Sequence, residues 1–289
     1  MKNNKVLVIL NPAARGDRAR LLKQRIESLS LRAVIRTTRA AGDAEALAER
    51  GVEQGFETIV AAGGDGTVNE VVNGIGESGV PLGILPVGTM NVFAMELGIP
   101  PGLEEAWRVI DQGRVREIDL PVCNGEFFVQ LGGVGLDAEV VKATTVESKK
   151  ALGPLSYVLS LAQISAQVPP RLHITAEGVG KREGRFVLVG NGRFYGGPLV
   201  LFKDARVDDG LLDVVIFKNQ SPWDVVRYVQ AIVFGSHPAL PDVEYFQTRA
   251  IRVEGHESIP YEVDGELSGT LPCEFSFAES KLRVRAPAK

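Results

Sequence analysis

Residues 58–75, TIVAAGGDGTVNEVVNGI, bring strand, turn and helix signals together around unusual chemistry. Ile59, Val60, Ala61 and Ala62 form a short apolar run, as expected of a parallel strand buried on both faces. Gly63, Gly64 and Gly66 interrupt it. Thr67 is placed to cap a helix whose apolar residues Val68, Val71, Val72 and Ile75 recur at i, i+3, i+4 and i+7, and Gly74 and Gly76 fall where such a helix would stop. The stretch therefore predicts a strand running through a glycine turn into a helix.

That geometry suits an anion, because unpaired N–H groups at a helix start face the turn and glycines let a phosphate approach the main chain. Asp65 lies in the middle of it. A carboxylate beside phosphate oxygens is repulsive unless a cation lies between them, so the turn implies magnesium as well as nucleotide. The spacing is neither G-x-G-x-x-G nor that of a P-loop, since no lysine follows the last glycine. A tight connection with a turn aspartate is the plain alternative.

The flanking chain extends the pattern. Val6–Leu10 reads as a buried strand, followed by a loop of small residues from Asn11 to Gly16, Asp17 as a cap, and a helix with Leu21, Leu22, Ile26 and Leu29 on one face. A second strand at Ala33, Val34 and Ile35 ends at Thr37 and Thr38, and Gly42 with Asp43 opens an alanine-rich helix ending near Gly55. Residues 81–86 supply another strand; Val87, Gly88, Thr89, Met90 and Asn91 occupy the position of a second ligand loop or a plain helix cap before a helix over 92–97. Residues 102–113 read as a further helix. Such alternation argues a right-handed parallel α/β sheet with ligands at the carboxyl ends of its strands.

From about Val115 the pattern becomes mainly antiparallel, with strands expected over 118–122, 127–131, 172–176, 186–189 and 212–217, a hairpin at Asn124-Gly125, and helices over 137–148 and 154–167. The division falls near Pro121: residues 1–121 form an α/β domain, residues 122–280 a β-rich domain, and a final strand over about 281–287 is free to return to the first. The loop from Asp204 to Leu211 carries several carboxylates, and its spacing alone reads as a hairpin turn with solvated aspartates. Asp264-Gly265 makes a good turn between apolar alternations, with Glu266 just beyond it.

A chain of 289 residues with 45% hydrophobic composition supports about two domains. Its net charge of −4 gives no overall attraction for nucleic acid. Cys123 and Cys273 lack metal-site spacing and read as buried free thiols. The apolar run at Val6–Leu10 is too short for a signal segment, so the expected location is the cytoplasm, with transient contact at the inner membrane surface at most.

In series, Gly63-Gly64-Asp65-Gly66-Thr67 with Asn69-Glu70, Pro86-Val87-Gly88-Thr89-Met90-Asn91, Asp208-Asp209-Gly210-Leu211-Leu212-Asp213 and Asp264-Gly265-Glu266 resemble the bacterial diacylglycerol kinase and sphingosine kinase family of lipid kinases. The resemblance spans nearly the whole chain. It implies an N-terminal domain like that of NAD kinases and phosphofructokinases, a β-sandwich-like second domain, and ATP in the cleft between them. Asn11, Pro12, Ala13, Ala14, Arg15, Thr38, Gly64, Asp65, Gly66, Thr67, Val68, Asn69, Glu70 and Thr89 would line the nucleotide. Glu266 would be the general base, and Asp65 would act through magnesium on the phosphates. A second magnesium would be held by Asp209 and the carbonyls of Arg206 and Leu211.

The sequence departs from the family pattern at Val92, where many relatives carry aspartate; Asp137 and waters would then have to support the ion, or the activity differs. The expected partners are ATP, a lipid alcohol and the membrane surface, with a second copy of the chain allowed and nucleic acid not expected. Leu155, Tyr157, Val158, Leu159, Leu161 and Ile164, and later Trp223, Val225, Val226, Tyr228 and Phe234, either receive acyl chains or rest on a bilayer, or pack as ordinary core. A kinase of NAD or another small alcohol, and a nucleotide- and lipid-binding sensor without turnover, are the alternatives.

Overall fold

The computed structural model describes residues 6–12, 24–29, 33–143 and 171–288. Its contacts divide the chain into two compact units, Met1–Leu120 with Ala278–Lys289, and Pro121–Phe277.

The first unit alternates strand and helix: β1 (Val6–Leu10), α1 (residues 24–29), β2 (Ala33–Thr37), α2 (Asp43–Glu53), β3 (Thr58–Gly63), α3 (Asp65–Ile75), β4 (Leu82–Pro86), α4 (Val92–Glu96), α5 (Leu103–Gln112) and β5 (Arg114–Ile118). Every residue of β3 and β4 is buried, which is why both read as continuous apolar runs rather than alternating ones. Thr67 does not cap α3. The cap is Gly64 in extended conformation, the helix begins one residue later at Asp65, and Thr67 sits inside the first turn. The reason is the glycine pair: Gly64 turns the chain before the threonine is reached. At the other end Gly76 stops the helix at φ 51°.

The second unit holds β6 (Pro121–Cys123), β7 (Glu126–Phe127), β8 (Leu131–Val134), α6 (Leu136–Ala143), β9 (Leu172–Ala176), β10 (Gly180–Gly184), β11 (Phe186–Gly190), β12 (Phe194–Tyr195), β13 (Leu199–Val200), β14 (Leu212–Phe217), α7 (Pro222–Val233), β15 (Val243–Thr248), β16 (Ile251–Glu254), β17 (Pro260–Val263), β18 (Glu266–Thr270) and β19 (Cys273–Phe277). Two six-stranded antiparallel sheets, β10-β9-β16-β19-β6-β7 and β15-β14-β11-β8-β17-β18, enclose a shared apolar core that includes Phe128, Ile174, Val189, Val253 and Phe275. The outer face of the second sheet is covered in turn: Val140 of α6 and Val225, Tyr228 and Ile232 of α7 join Leu188, Val215 and Phe217 in a separate cluster. That sheet is therefore apolar on both faces, although its strands are antiparallel.

The expected strand over 118–122 is broken. Ladder pairing stops at Ile118 and resumes at Pro121, where the chain passes from one unit to the next. Between them Asp119, 4% exposed, accepts the Lys281 ammonium at 2.5 Å. The expected strand over 127–131 is broken too, because the N–H groups of Val129, Gln130 and Leu131 go to the Asp264 carboxylate instead of a neighbouring strand. The hairpin at Asn124-Gly125 forms, with φ 48° and 93°, as a primed turn requires. Cys123 and Cys273 are buried free thiols.

Beyond the sandwich, β20 (Leu282–Ala286) completes the first sheet in the order β2-β1-β3-β4-β20-β5, parallel to β4 and antiparallel to β5.

Candidate functional site

Two groups of side chains carry chemistry, one in each unit. In the first, the chain leaves β3 and enters α3 through Gly64. The first intrahelical bond runs from the Val68 N–H to the Gly64 carbonyl at 3.1 Å, so the N–H groups of Asp65, Gly66 and Thr67 have no helical partner and form an anion-binding end. Asn11, just after β1, donates its amide to the Thr67 hydroxyl at 2.9 Å and its backbone N–H to the Ala62 carbonyl at 2.9 Å. The second loop is bolted to the first. Val87 and Gly88 both donate to the Gly63 carbonyl at 3.2 Å, and Asn91 closes the loop by accepting the Gly88 N–H at 3.0 Å and donating to the Gly88 carbonyl at 2.9 Å. Only glycine fits at 88, since a Cβ there would lie 2.3 Å from the Gly64 Cα.

Asp65 points back toward the second loop and accepts the Phe93 N–H at 3.2 Å. Burial pushes its carboxyl above the ordinary range, and the N–H groups of Phe93, Val92 and Asn91 offset this only in part. Val92 is buried as the first residue of α4 and brings no oxygen to the loop.

The remaining residues expected to line a nucleotide fall into different settings. Thr38 is buried just after β2 and donates its N–H to the Leu10 carbonyl at 3.0 Å. Val68 and Asn69 are buried. Glu70 accepts the Ala44 N–H at 3.0 Å, which satisfies the first turn of α2. Thr89 is exposed on the second loop and Pro12 is half-buried. Ala13, Ala14 and Arg15 lie outside the described residues, as do Leu155, Tyr157, Val158, Leu159, Leu161 and Ile164.

In the second unit, Asp264 (φ 49°) and Gly265 (φ 84°) form the turn between β17 and β18. The Asp264 carboxylate takes the N–H groups of Val129, Gln130 and Leu131 at 2.8, 2.9 and 3.1 Å, clamping the turn to the segment before β8. Glu266 is the next residue, exposed at the head of β18. A charged acceptor with three donors holds this turn far more firmly than an ordinary hairpin, so a side chain mounted on it has a defined origin.

The Asp204–Leu211 loop is tied down by Asp209, whose carboxylate accepts the Leu211 N–H at 3.1 Å, and by a 3.6 Å pair between Arg206 and Asp208. Behind it, Asp213 is fully buried and hydrogen-bonded by Tyr245 and by Gln247 at 3.2 Å; burial pushes its carboxyl up to about 6. Strands β14 and β18 are separated by β11, β8 and β17, four strand spacings. At ~4.8 Å per spacing this is about 19 Å, so the Asp209 loop and Glu266 belong to different neighbourhoods.

Among the described residues no three His, Cys, Asp or Glu side chains gather as a metal cluster. A magnesium ion needs few protein carboxylates, keeps several waters and accepts carbonyl oxygens. The carboxylates of Asp65, beside the α3 N-terminus, and of Asp209 are oxygen donors of the kind such an ion takes.

Asp137 and Glu262, both buried, were not legible as partners. Each stands in an ordinary local pattern, a helix start and a strand, and only the register of β17 on β8 brings them to the same glycine.

This architecture defines a class: a glycine-turn α/β domain continued by a β sandwich. Residues 5–123 match the diacylglycerol kinase catalytic domain, and residues 132–286 match the YegS C-terminal NAD kinase beta sandwich-like domain. A Pseudomonas aeruginosa protein described as "probable lipid kinase YegS-like" is 36% identical over 300 residues, spanning 100% of this chain and 96% of its own. A Staphylococcus carnosus diacylglycerol kinase is 31% identical over 86% of this chain and 83% of its own. A diacylglycerol kinase structure from Bacillus anthracis superposes with a TM-score of 0.78 at 28% identity, over 98% of this chain and 97% of that one. Yeast NADH kinase shares the fold, with a TM-score of 0.54 at 11% identity over 99% of this chain and 84% of its own. The chain belongs to the diacylglycerol kinase and YegS-like family of lipid kinases.

Proposed function

We propose that the protein transfers the γ-phosphate of ATP to the hydroxyl of diacylglycerol or a related lipid alcohol, as a peripheral protein at a membrane surface. The observation that carries this reading is the Gly64–Gly88 crossing at the N-terminus of α3, with Asp65 in the first turn of that helix. The N–H groups of Asp65, Gly66 and Thr67 receive phosphate oxygens, and Asn11 keeps the Thr67 hydroxyl turned to one orientation. Glu266 accepts the proton of the lipid hydroxyl as that oxygen bonds to the γ-phosphorus; the bond from phosphorus to the β,γ-bridging oxygen breaks, and ADP leaves with the electron pair. Magnesium, when bound, supplies neutralisation of the phosphate charge at Asp65. Asp209 and the carbonyls of Arg206 and Leu211 would hold a second magnesium, which would order the second domain.

The membrane part of this reading is supported by α7, which divides into two faces. Val225, Tyr228, Ala231 and Ile232 are core, whereas Trp223 and Phe234 are 83% and 76% exposed, with Val226, Val229 and Val233 beside them. The expectation for this helix therefore splits residue by residue. Among the described residues no helix is long and apolar enough to cross a membrane.

The test is transfer of labelled γ-phosphate from magnesium-ATP to a panel of micellar lipid alcohols, with NAD in parallel and Glu266→Gln as control. Labelling of a lipid that is lost in the variant supports the reading. Labelling of NAD alone replaces it with a soluble-alcohol kinase, and nucleotide binding without any labelled acceptor makes the protein a sensor, an outcome consistent with buried Val92.

A further inference from the structure

We propose that Glu262 is a positioning residue for Glu266: buried behind the Asp264–Gly265 turn, it fixes the turn by accepting the Gly265 N–H. This rests on the role given to Glu266 above.

Glu262 is fully buried in β17, and its Oε2 accepts the Gly265 N–H at 2.7 Å. With the Asp264 carboxylate clamped to the N–H groups of Val129, Gln130 and Leu131 and the Gly265 N–H held by Glu262, both central residues of the turn are fixed, and Glu266 is the first residue after them. The space exists because residue 133 is glycine. A Cβ there would fall 2.6 Å from Asp137 Oδ2 and 2.7 Å from Glu262 Oε1. Two carboxyl oxygens thus crowd the same face of β8. Asp137 is oriented by the Tyr195 hydroxyl on its Oδ1, and Glu262 Oε1 meets no hydrogen-bond donor among the described residues.

The two oxygens of Glu262 thus have different settings: Oε2 serves Gly265, and Oε1 lies with Asp137 Oδ2 on the Gly133 face. Glutamine keeps a carbonyl oxygen for Gly265, whereas leucine fills the space and supplies none.

The experiment compares Glu262→Leu, Glu262→Gln and Gly133→Ala in the full chain, reading kcat, KM for ATP and amide hydrogen exchange at Gly265. Glu262→Leu is expected to lower kcat about tenfold or more with KM for ATP changed less than about twofold, and to speed Gly265 exchange. Glu262→Gln is expected to recover most of that loss and to keep Gly265 protected. Gly133→Ala, which leaves Glu262 in the chain but displaces it, is expected to reproduce the leucine pattern, so a poorly folded leucine variant does not close the question. Unchanged Gly265 exchange and kcat in Glu262→Leu and Gly133→Ala would overturn the proposal, as would a glutamine variant no better than leucine. Normal turnover by Glu266→Gln would instead overturn the functional reading on which the kinetic arm rests, and Gly265 exchange would still decide the contact.

Discussion

Gly88 rests directly on Gly64: a Cβ on Gly88 would fall 2.3 Å from the Gly64 Cα and 2.9 Å from its nitrogen. Both atoms struck are backbone, so no side-chain rotation relieves the contact. Gly88→Ala is expected to force the two loops apart, costing about 1–3 kcal/mol of stability in the overpacking range. Because the displaced backbone carries the α3 N-terminus, ATP affinity should fall about tenfold or more, equivalent to about 1.4 kcal/mol. Calorimetric titration with magnesium-ATP checks this, and unchanged affinity would detach the second loop from the nucleotide.

Asp65→Asn separates stability from activity. Burial holds the Asp65 carboxyl above its ordinary value of 3.8, so the folded protein keeps this proton more readily than the unfolded chain does. Ionisation at neutral pH therefore works against folding, and any stability the protonated group contributes is lost as pH rises through the folded value. Asparagine keeps an acceptor for the Phe93 N–H and removes the charge. The melting temperature at pH 7 should stay level or rise, while magnesium-dependent nucleotide binding weakens.

Asp242 shows the opposite sign. It receives two N–H groups of Arg227 at 2.9 and 2.5 Å, the Tyr228 hydroxyl at 2.6 Å and the Asn219 amide at 2.8 Å. The Arg227 guanidinium is the largest cause holding its carboxyl far below the ordinary 3.8. Its contribution is complete above the unfolded value and is lost as pH falls below 3.8 toward the folded one. Thermal melts between pH 5 and pH 2 should therefore show a steeper acid loss in the parent than in Asp242→Asn, which starts lower and falls less.

Trp223 and Phe234 bracket the exposed face of α7. Changing both to serine removes apolar surface that is already in water, so the melting temperature should hold. Partitioning onto diacylglycerol-containing vesicles should weaken by roughly tenfold or more if each ring contributes even half of its ~1.5–3 kcal/mol burial value. Co-sedimentation measures it; equal partitioning of parent and variant would remove α7 from the membrane contact.

How much of this was legible depends on the range of the interactions involved. The strand, turn and helix of residues 58–75 follow from apolar period and glycine placement, and β3 and α3 stand where that reasoning put them. The start of α3 did not follow, because Gly64 caps it through backbone conformation and leaves Thr67 to Asn11. The strand expected over 127–131 failed because its donors go to a distant partner: Asp264 is 135 residues from Val129. Glu70 illustrates the same limit, since its bond to Ala44 crosses from α3 to α2.

By itself, then, the sequence determined what depends on neighbouring residues: the two alternation periods, the glycine turn with its central aspartate, the Asn124-Gly125 and Asp264-Gly265 turns, and the family to which the four motifs in series belong. Tertiary structure alone decided which groups share a desolvated space. It set Gly88 against Gly64, gave three backbone donors to Asp264, split α7 into a core face and a bare one, and placed Glu262 and Asp137 at the one glycine that admits both. The physical reason is that backbone preference and periodicity are local. Burial and hydrogen-bond partnership are properties of surfaces that meet only when strands far apart in the chain take up their register.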